Sequence, residues 1–162
     1  MGAAERSMKR QRIYVDTSVI GGCFDPEFAP WSNGLMRDFR EGTFRPVVSD
    51  VVAAEVESAP ANVKAKYGEM LDLGAEVVTE MEEARNLADS YQQHGILPEK
   101  FDSACLHIAL GTVAAVDMLV SWNFKHIVRF DKIRMFNAVN REAGYKELEI
   151  YSPREVTHYE ER

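Results

Sequence analysis

The chain has 162 residues, 46% of them apolar, and 26 acidic side chains against 19 basic ones leave a net charge of −7. A single core at this length buries about 68–70% of the unfolded chain's surface, so no disulfide or metal staple is required, and solenoids and large multidomain assemblies are excluded. No apolar run approaches the roughly 18 residues of a membrane span, and the polar start lacks a signal-peptide core, so a soluble, cytoplasmic protein is expected.

Cys23 and Cys105 stand far apart, without CxxC or Cys/His ligand spacing. They read as buried small hydrophobes in a reducing compartment. An acidic total opposes bulk attraction to nucleic acid, although a site that gathers carboxylates around a cation would itself add to that charge.

Residues 1–11, which hold Lys9 and Arg10, are expected as a flexible arm before a single domain over residues 12–162. Arg12–Val15 has the Ile, Tyr and Val content of a strand and runs into Asp16-Thr17-Ser18. Pro30-Trp31 with Leu35, Met36 and Phe39 forms a helical apolar stripe, suited first to core packing and second to a groove for another chain. Phe44–Ser49 is the next strand, followed by helices over Asp50–Ser58 and Val63–Leu73 with Ala59-Pro60 between them. Ala75–Thr79 reads as a strand and Glu80–His94 as a helix closed by Gly95. Pro98–Ala115 reads as a helix with Pro98 at its first position, Met118–Trp122 as a strand, Asp131–Ala143 as a helix closed by Gly144, and Leu148–Tyr151 as the last strand. Strand and helix alternate, which predicts an α/β fold: a three-layer α/β/α sandwich around a parallel sheet of about five strands.

All strands of a parallel sheet end on one side, and ligands bind there. Asp16 follows the first strand, Glu55 lies in the helix leaving the second, and Asn123 follows the fourth. Asp102 lies four residues after Pro98, about 6 Å into its helix at about 1.5 Å per residue. Ionised carboxylates about 4 Å apart repel by about 4 kcal/mol at an effective dielectric near 20, so Asp16, Glu55 and Asp102 together call for a cation. Oxygen ligands without His or Cys suit Mg²⁺ or Mn²⁺. The implied chemistry is phosphodiester hydrolysis by metal-activated water.

The series Val15-Asp16-Thr17-Ser18, then Glu55, then Phe101-Asp102-Ser103-Ala104-Cys105-Leu106-His107-Ile108-Ala109, then Asp117-Met118-Leu119-Val120-Ser121-Trp122-Asn123-Phe124-Lys125-His126 resembles the PIN domain. The resemblance runs from about Arg12 to Pro153. It implies a metal-dependent ribonuclease, and, as with many small prokaryotic members, the toxin half of a VapBC-type pair with a separate antitoxin chain and frequent homodimers. Matched position by position, Asp16, Glu55 and Asp102 correspond to the acidic metal site. Asn123 stands where most members carry a fourth Asp, and its amide supplies a carbonyl but no charge.

Each candidate also has a plainer role. Asp16 could cap the following helix, Glu55 could be a solvated helical residue, and Asp102 could simply favour a helix N-terminus, a place that Glu99 fills better. Asp117 precedes the fourth strand and belongs at the opposite sheet edge, as a turn residue. Ser18 and Ser121 are candidates to contact substrate or orient the site, and Lys125 and His126, with Arg129 nearby, could hold phosphates. His94, His107 and His158 read as structural; His107 lies about 140° round the helix from Asp102 and is expected to face away from the site.

The leading expectation is therefore an Mg²⁺- or Mn²⁺-dependent endoribonuclease on single-stranded RNA, with Asp16, Glu55 and Asp102 on the metal and Asn123 assisting. The alternatives are a PIN-like module that binds RNA or protein without cutting, suggested by Asn123, and a phosphatase or DNA nuclease using the same carboxylates.

Overall fold

The structure is a computed structural model that describes residues 10–158; Lys9 and nearly all of the expected N-terminal arm fall outside the described residues. β1 (Arg12–Val15) is followed by α1 (Thr17–Gly22), α2 (Ala29–Arg40), β2 (Arg45–Ser49), α3 (Asp50–Glu57) and α4 (Ala61–Asp72). Then come β3 (Glu76–Val78), α5 (Glu82–Gln93), a 3-10 turn (Glu99–Phe101), α6 (Asp102–Val113), β4 (Met118–Val120), α7 (Phe130–Glu142), β5 (Ile150–Tyr151) and α8 (Pro153–Val156). The five strands lie in the order β3-β2-β1-β4-β5, and every pairing is parallel.

Ile13, Tyr14 and Val15 in β1, and Leu119 and Val120 in β4, have no solvent exposure. Strands covered on both faces lose the alternation of a half-exposed sheet and become continuous apolar runs. Two helical layers supply the cover: α5, α6 and α7 pack together, while α1 packs on α2, α3 and α4, and α2 on α8. The stripe on α2 is core, with Leu35, Met36 and Phe39 all buried, and both cysteines are buried with free thiols. Among the described residues, no helix is long and apolar enough to cross a membrane.

The chain winds outward from β1 through β2 to β3, then returns to the other side of β1 with β4 and β5. That reversal leaves a crevice beyond the carboxyl ends of β1 and β4, the usual ligand position in open α/β sheets. Asp117 is at the far edge, as expected: its carboxylate accepts from the Arg12 amide at 2.6 Å. Arg12 is held there too, since its guanidinium pairs with Glu76 and donates to the Ala114 carbonyl at 2.9 Å.

The expected helix over Pro98–Ala115 is divided. Pro98 begins a 3-10 turn rather than the α-helix, and α6 starts only at Asp102.

Candidate active site

Asp16 occupies the N-cap position of α1 in extended backbone, but its carboxylate makes no capping bond. It turns instead toward the β1–β4 crevice and is 95% shielded from solvent, at 5% exposure. Ser18 Oγ donates to Oδ1 at 2.6 Å and Ser121 Oγ to Oδ2 at 2.6 Å. The hydroxyls are fixed in turn, because the Trp122 amide donates to Ser18 Oγ and the Asn123 amide to Ser121 Oγ, both at 2.9 Å. A carboxylate this buried needs such donors, since an unsatisfied buried polar group costs roughly 1–3 kcal/mol. Ser18 and Ser121, expected to contact substrate or orient the site, hold Asp16; Ser18 also lines the cavity, whereas Ser121 is fully buried and offers no surface to a ligand.

Glu55 projects from α3 to the other side of the same cavity. Thr17 Oγ1 donates to its Oε1 at 2.7 Å, Ser103 Oγ to its Oε2 at 3.0 Å, and His107 Nε2 lies 2.8 Å from Oε1. Burial works to raise the Glu55 pKa, but it is outweighed by the hydrogen bond and charge of His107 and by the Thr17 and Ser103 hydroxyls, which together bring it down to about 2. Glu55 is an ionised, acceptor-only group at neutral pH.

That fixes the donor facing it. His107 must donate through Nε2, and Nδ1 then faces the Tyr14 hydroxyl at 2.7 Å. Burial pushes the Tyr14 phenol pKa upward, so it keeps its proton. Ser49 Oγ lies 2.8 Å from the Tyr14 oxygen and also accepts from the Val52 amide at 3.2 Å. Ser49, Tyr14, His107 and Glu55 thus form one continuous hydrogen-bonded chain from the buried sheet to the cavity.

Asp102 and His107 depart from expectation. Asp102 does not line the cavity: its oxygens accept from Arg85 at 2.9 and 2.6 Å, a bidentate pair between α6 and α5 that holds its pKa low. The face of α6 that meets the cavity carries Ser103 and, one turn on, His107. The computed 140° separation of Asp102 from His107 is consistent with this, but it is His107 that faces the site and Asp102 that faces away. Among the described residues, no three His, Cys, Asp or Glu side chains form a group able to hold a metal ion. Of the three carboxylates expected to cluster, only Asp16 and Glu55 line the cavity.

The cavity has a volume of about 290 Å³ and is completed by Lys100, Phe101, Ala104, Asn123 and Ile127. Asn123 Oδ1 accepts from the His126 amide at 3.0 Å, which ties down the turn after β4. His126 is outside the cavity wall, its ring packed on Phe101 with centroids 3.9 Å apart. Partial burial, then Lys125, Lys132, Arg129 and Lys100, lower its pKa. Lys125 is exposed beside it. Sequence reasoning missed Thr17, Lys100, Phe101, Ser103 and the Tyr14–His107 chain; of these, only the adjacency of Thr17 to Asp16 was a usable signal.

No family model and no curated protein matches the chain. Solved structures do. VapBC2 from Rickettsia felis, bound to a DNA fragment from its promoter, matches with a TM-score of 0.55 at 12% identity, over 87% of this chain and 98% of that one. FitAcB from Neisseria gonorrhoeae matches with 0.56 at 13% identity, over 87% and 97%. FitAB bound to an IR36 DNA fragment matches with 0.57 at 14% identity, over 93% and 99%. At such identities the likeness is one of fold: the chain has the PIN-like fold of VapC-type proteins.

Proposed function

We propose that this chain is a divalent-metal-dependent endoribonuclease acting on single-stranded RNA, the toxin half of a toxin–antitoxin pair. The carrying observation is that Asp16 and Glu55 face one open cavity at the sheet's switch point, with the neighbouring hydroxyls and His107 all bonded to them. The fold shared with VapBC2 and the Fit complexes supports the same reading, and it supports a separate protein partner for this chain.

The donor set fits Mg²⁺ or Mn²⁺. It is all oxygen, and Mg²⁺ is commonly held by one or two carboxylates, completed by water and substrate phosphate oxygens. Asp16 and Glu55 would hold the ion, with the Asn123 amide at the margin. When bound, such an ion supplies positive charge against the phosphodiester and acidifies water. The protein contributes position: the serine pair keeps Asp16 in one rotamer, His107 keeps Glu55 ionised, and Lys100 at the rim is a cation for a neighbouring phosphate.

RNA cleavage should require Mg²⁺ or Mn²⁺, stop with EDTA, and be lost in both Asp16→Asn and Glu55→Gln while circular dichroism remains that of wild type. Undiminished cutting by either variant defeats the proposal. The Arg85–Asp102 pair and the neutral Asn123 favour a second reading, a PIN-like module that binds RNA or protein without cutting. Wild-type protein that retains RNA yet leaves it intact in Mn²⁺ selects that reading.

A further inference from the structure

Beside the cavity, the surface changes character. In a chain of net charge −7, four cations, Lys125, Lys132, Arg129 and Lys100, act together on the His126 ring. Lys100 Nζ also lies 5.2 Å from the Phe101 ring centre, and Phe101 is shared with the cavity wall. Four residues beyond His126, Phe130 is 75% exposed, the most exposed large apolar side chain among the described residues. The Arg134 guanidinium sits 5.6 Å from its ring centre. Arg129 is paired with Asp131, but among the described residues Lys100, Lys125 and Arg134 have no carboxylate partner.

Flat rings interleaved with uncompensated cations are what a single-stranded nucleic acid requires: stacking faces for unpaired bases and positive charge for phosphates. A duplex keeps its bases stacked on each other and cannot use the rings. We propose that the strip from Phe101–His126 to Phe130–Arg134 is the track for RNA flanking the cleavage point, with bases stacking at His126 and Phe130 and phosphates meeting Lys100, Lys125 and Arg134. The choice of RNA rests on the nuclease reading; the binding itself does not.

Fluorescence anisotropy with a short labelled oligouridylate, in EDTA so that nothing is cut, tests the track. Phe130→Ala should weaken binding by about tenfold, in the range of one lost base stack, and His126→Ala should act in the same direction. Lys125→Glu should weaken binding and flatten its salt dependence. Binding of the matching duplex should not respond to Phe130→Ala. Wild-type affinity in both ring variants, no binding by wild type, or preferential capture of an oligoglutamate peptide would each overturn the track. Because Phe130 is exposed, its loss leaves the core intact, which circular dichroism checks. Parallel cleavage assays separate the two claims. Cutting with an unchanged KM in Phe130→Ala defeats the track alone, whereas Phe130-dependent binding without cutting defeats the nuclease alone.

Discussion

His107 Nε2 lies 2.8 Å from Glu55 Oε1, and its other nitrogen is 2.7 Å from the buried Tyr14 hydroxyl, so one imidazole ties a carboxylate of the candidate site to the middle of the sheet. This converts a group that burial disfavours as an anion into one that is ionised down to about pH 2.

The sign of the pH effect follows. The Glu55 pKa is lowered on folding to about 2, from an unfolded value of about 4.3. Its contribution to stability is complete above the unfolded value and is lost as pH falls toward the folded one. In metal-free protein, the stability difference between wild type and Glu55→Gln should be flat above about pH 5 and should shrink from about pH 4.3 downward. Carboxyl-carbon NMR should show Glu55 titrating far below its ordinary range, and shifted upward in His107→Ala, which removes the two largest of the effects that oppose burial. Titration near 4.3 in wild type, or no response to His107→Ala, contradicts the assignment.

Ser121 has no exposed surface, yet its hydroxyl serves both Asp16 and the Asn123 amide. Ser121→Ala should cost about 1–3 kcal/mol by leaving a buried carboxylate oxygen short of a donor. Chemical denaturation gives that figure. Cleavage should fall through kcat with KM little changed, because the hydroxyl reaches Asp16 and not the substrate. A variant as stable as wild type would show that Asp16 finds another donor.

Much of the fold was legible because the central strands β1, β2 and β4 are buried on both sides and bounded by Gly, Pro or capping residues; Arg12–Val15 matches its expected limits. Asp16 was legible for a related reason, since a carboxylate directly after an apolar strand has few other places to go. The phase of α6 was not. Residues Ala104 to Thr112 are all buried, so no polar face marks which side meets the sheet. The 3-10 turn after Pro98 advances the backbone at three residues per turn instead of 3.6, which shifts every later side chain around the axis. His107 is placed by its angle from Asp102, so assigning Asp102 to the site puts His107 outside it, whereas the true phase of α6 is the reverse. Arg85, seventeen residues up the chain on α5, carries no local sign that it pairs with Asp102.

Gly22 links the core to the site. A methyl group there would lie 2.6 Å from both Ser32 Oγ and Trp122 Nε1, which are themselves hydrogen-bonded at 2.8 Å. Trp122 cannot yield freely, because Phe28 stacks on it at 4.1 Å and its amide holds Ser18. Gly22→Ala should destabilise by about 1–3 kcal/mol through overpacking. It should also reduce cleavage by disturbing the hydroxyl that orients Asp16. Unchanged melting temperature and activity would mean that the Trp122 pocket is looser than its contacts indicate.

Arg85 decides what Asp102 can contribute. The pair is bidentate but partly exposed, with 33% of the Arg85 side chain and 41% of the Asp102 side chain accessible, so solvent screening keeps its worth within about 0–1 kcal/mol. Breaking it is cheap compared with placing another negative charge near a divalent cation. Phe101 and Ser103, on either side of Asp102, belong to the cavity and its bonded groups, so the freed charge would act on a bound cation at long range, from outside the cavity wall. Arg85→Met removes a positive charge and leaves Asp102 uncompensated; Mn²⁺ affinity measured by calorimetry should rise severalfold, with little change in melting temperature. Asp102→Asn should move affinity the other way. If neither substitution alters Mn²⁺ binding, Asp102 is a structural partner of Arg85 alone, and Asp16 and Glu55 carry the cation without it.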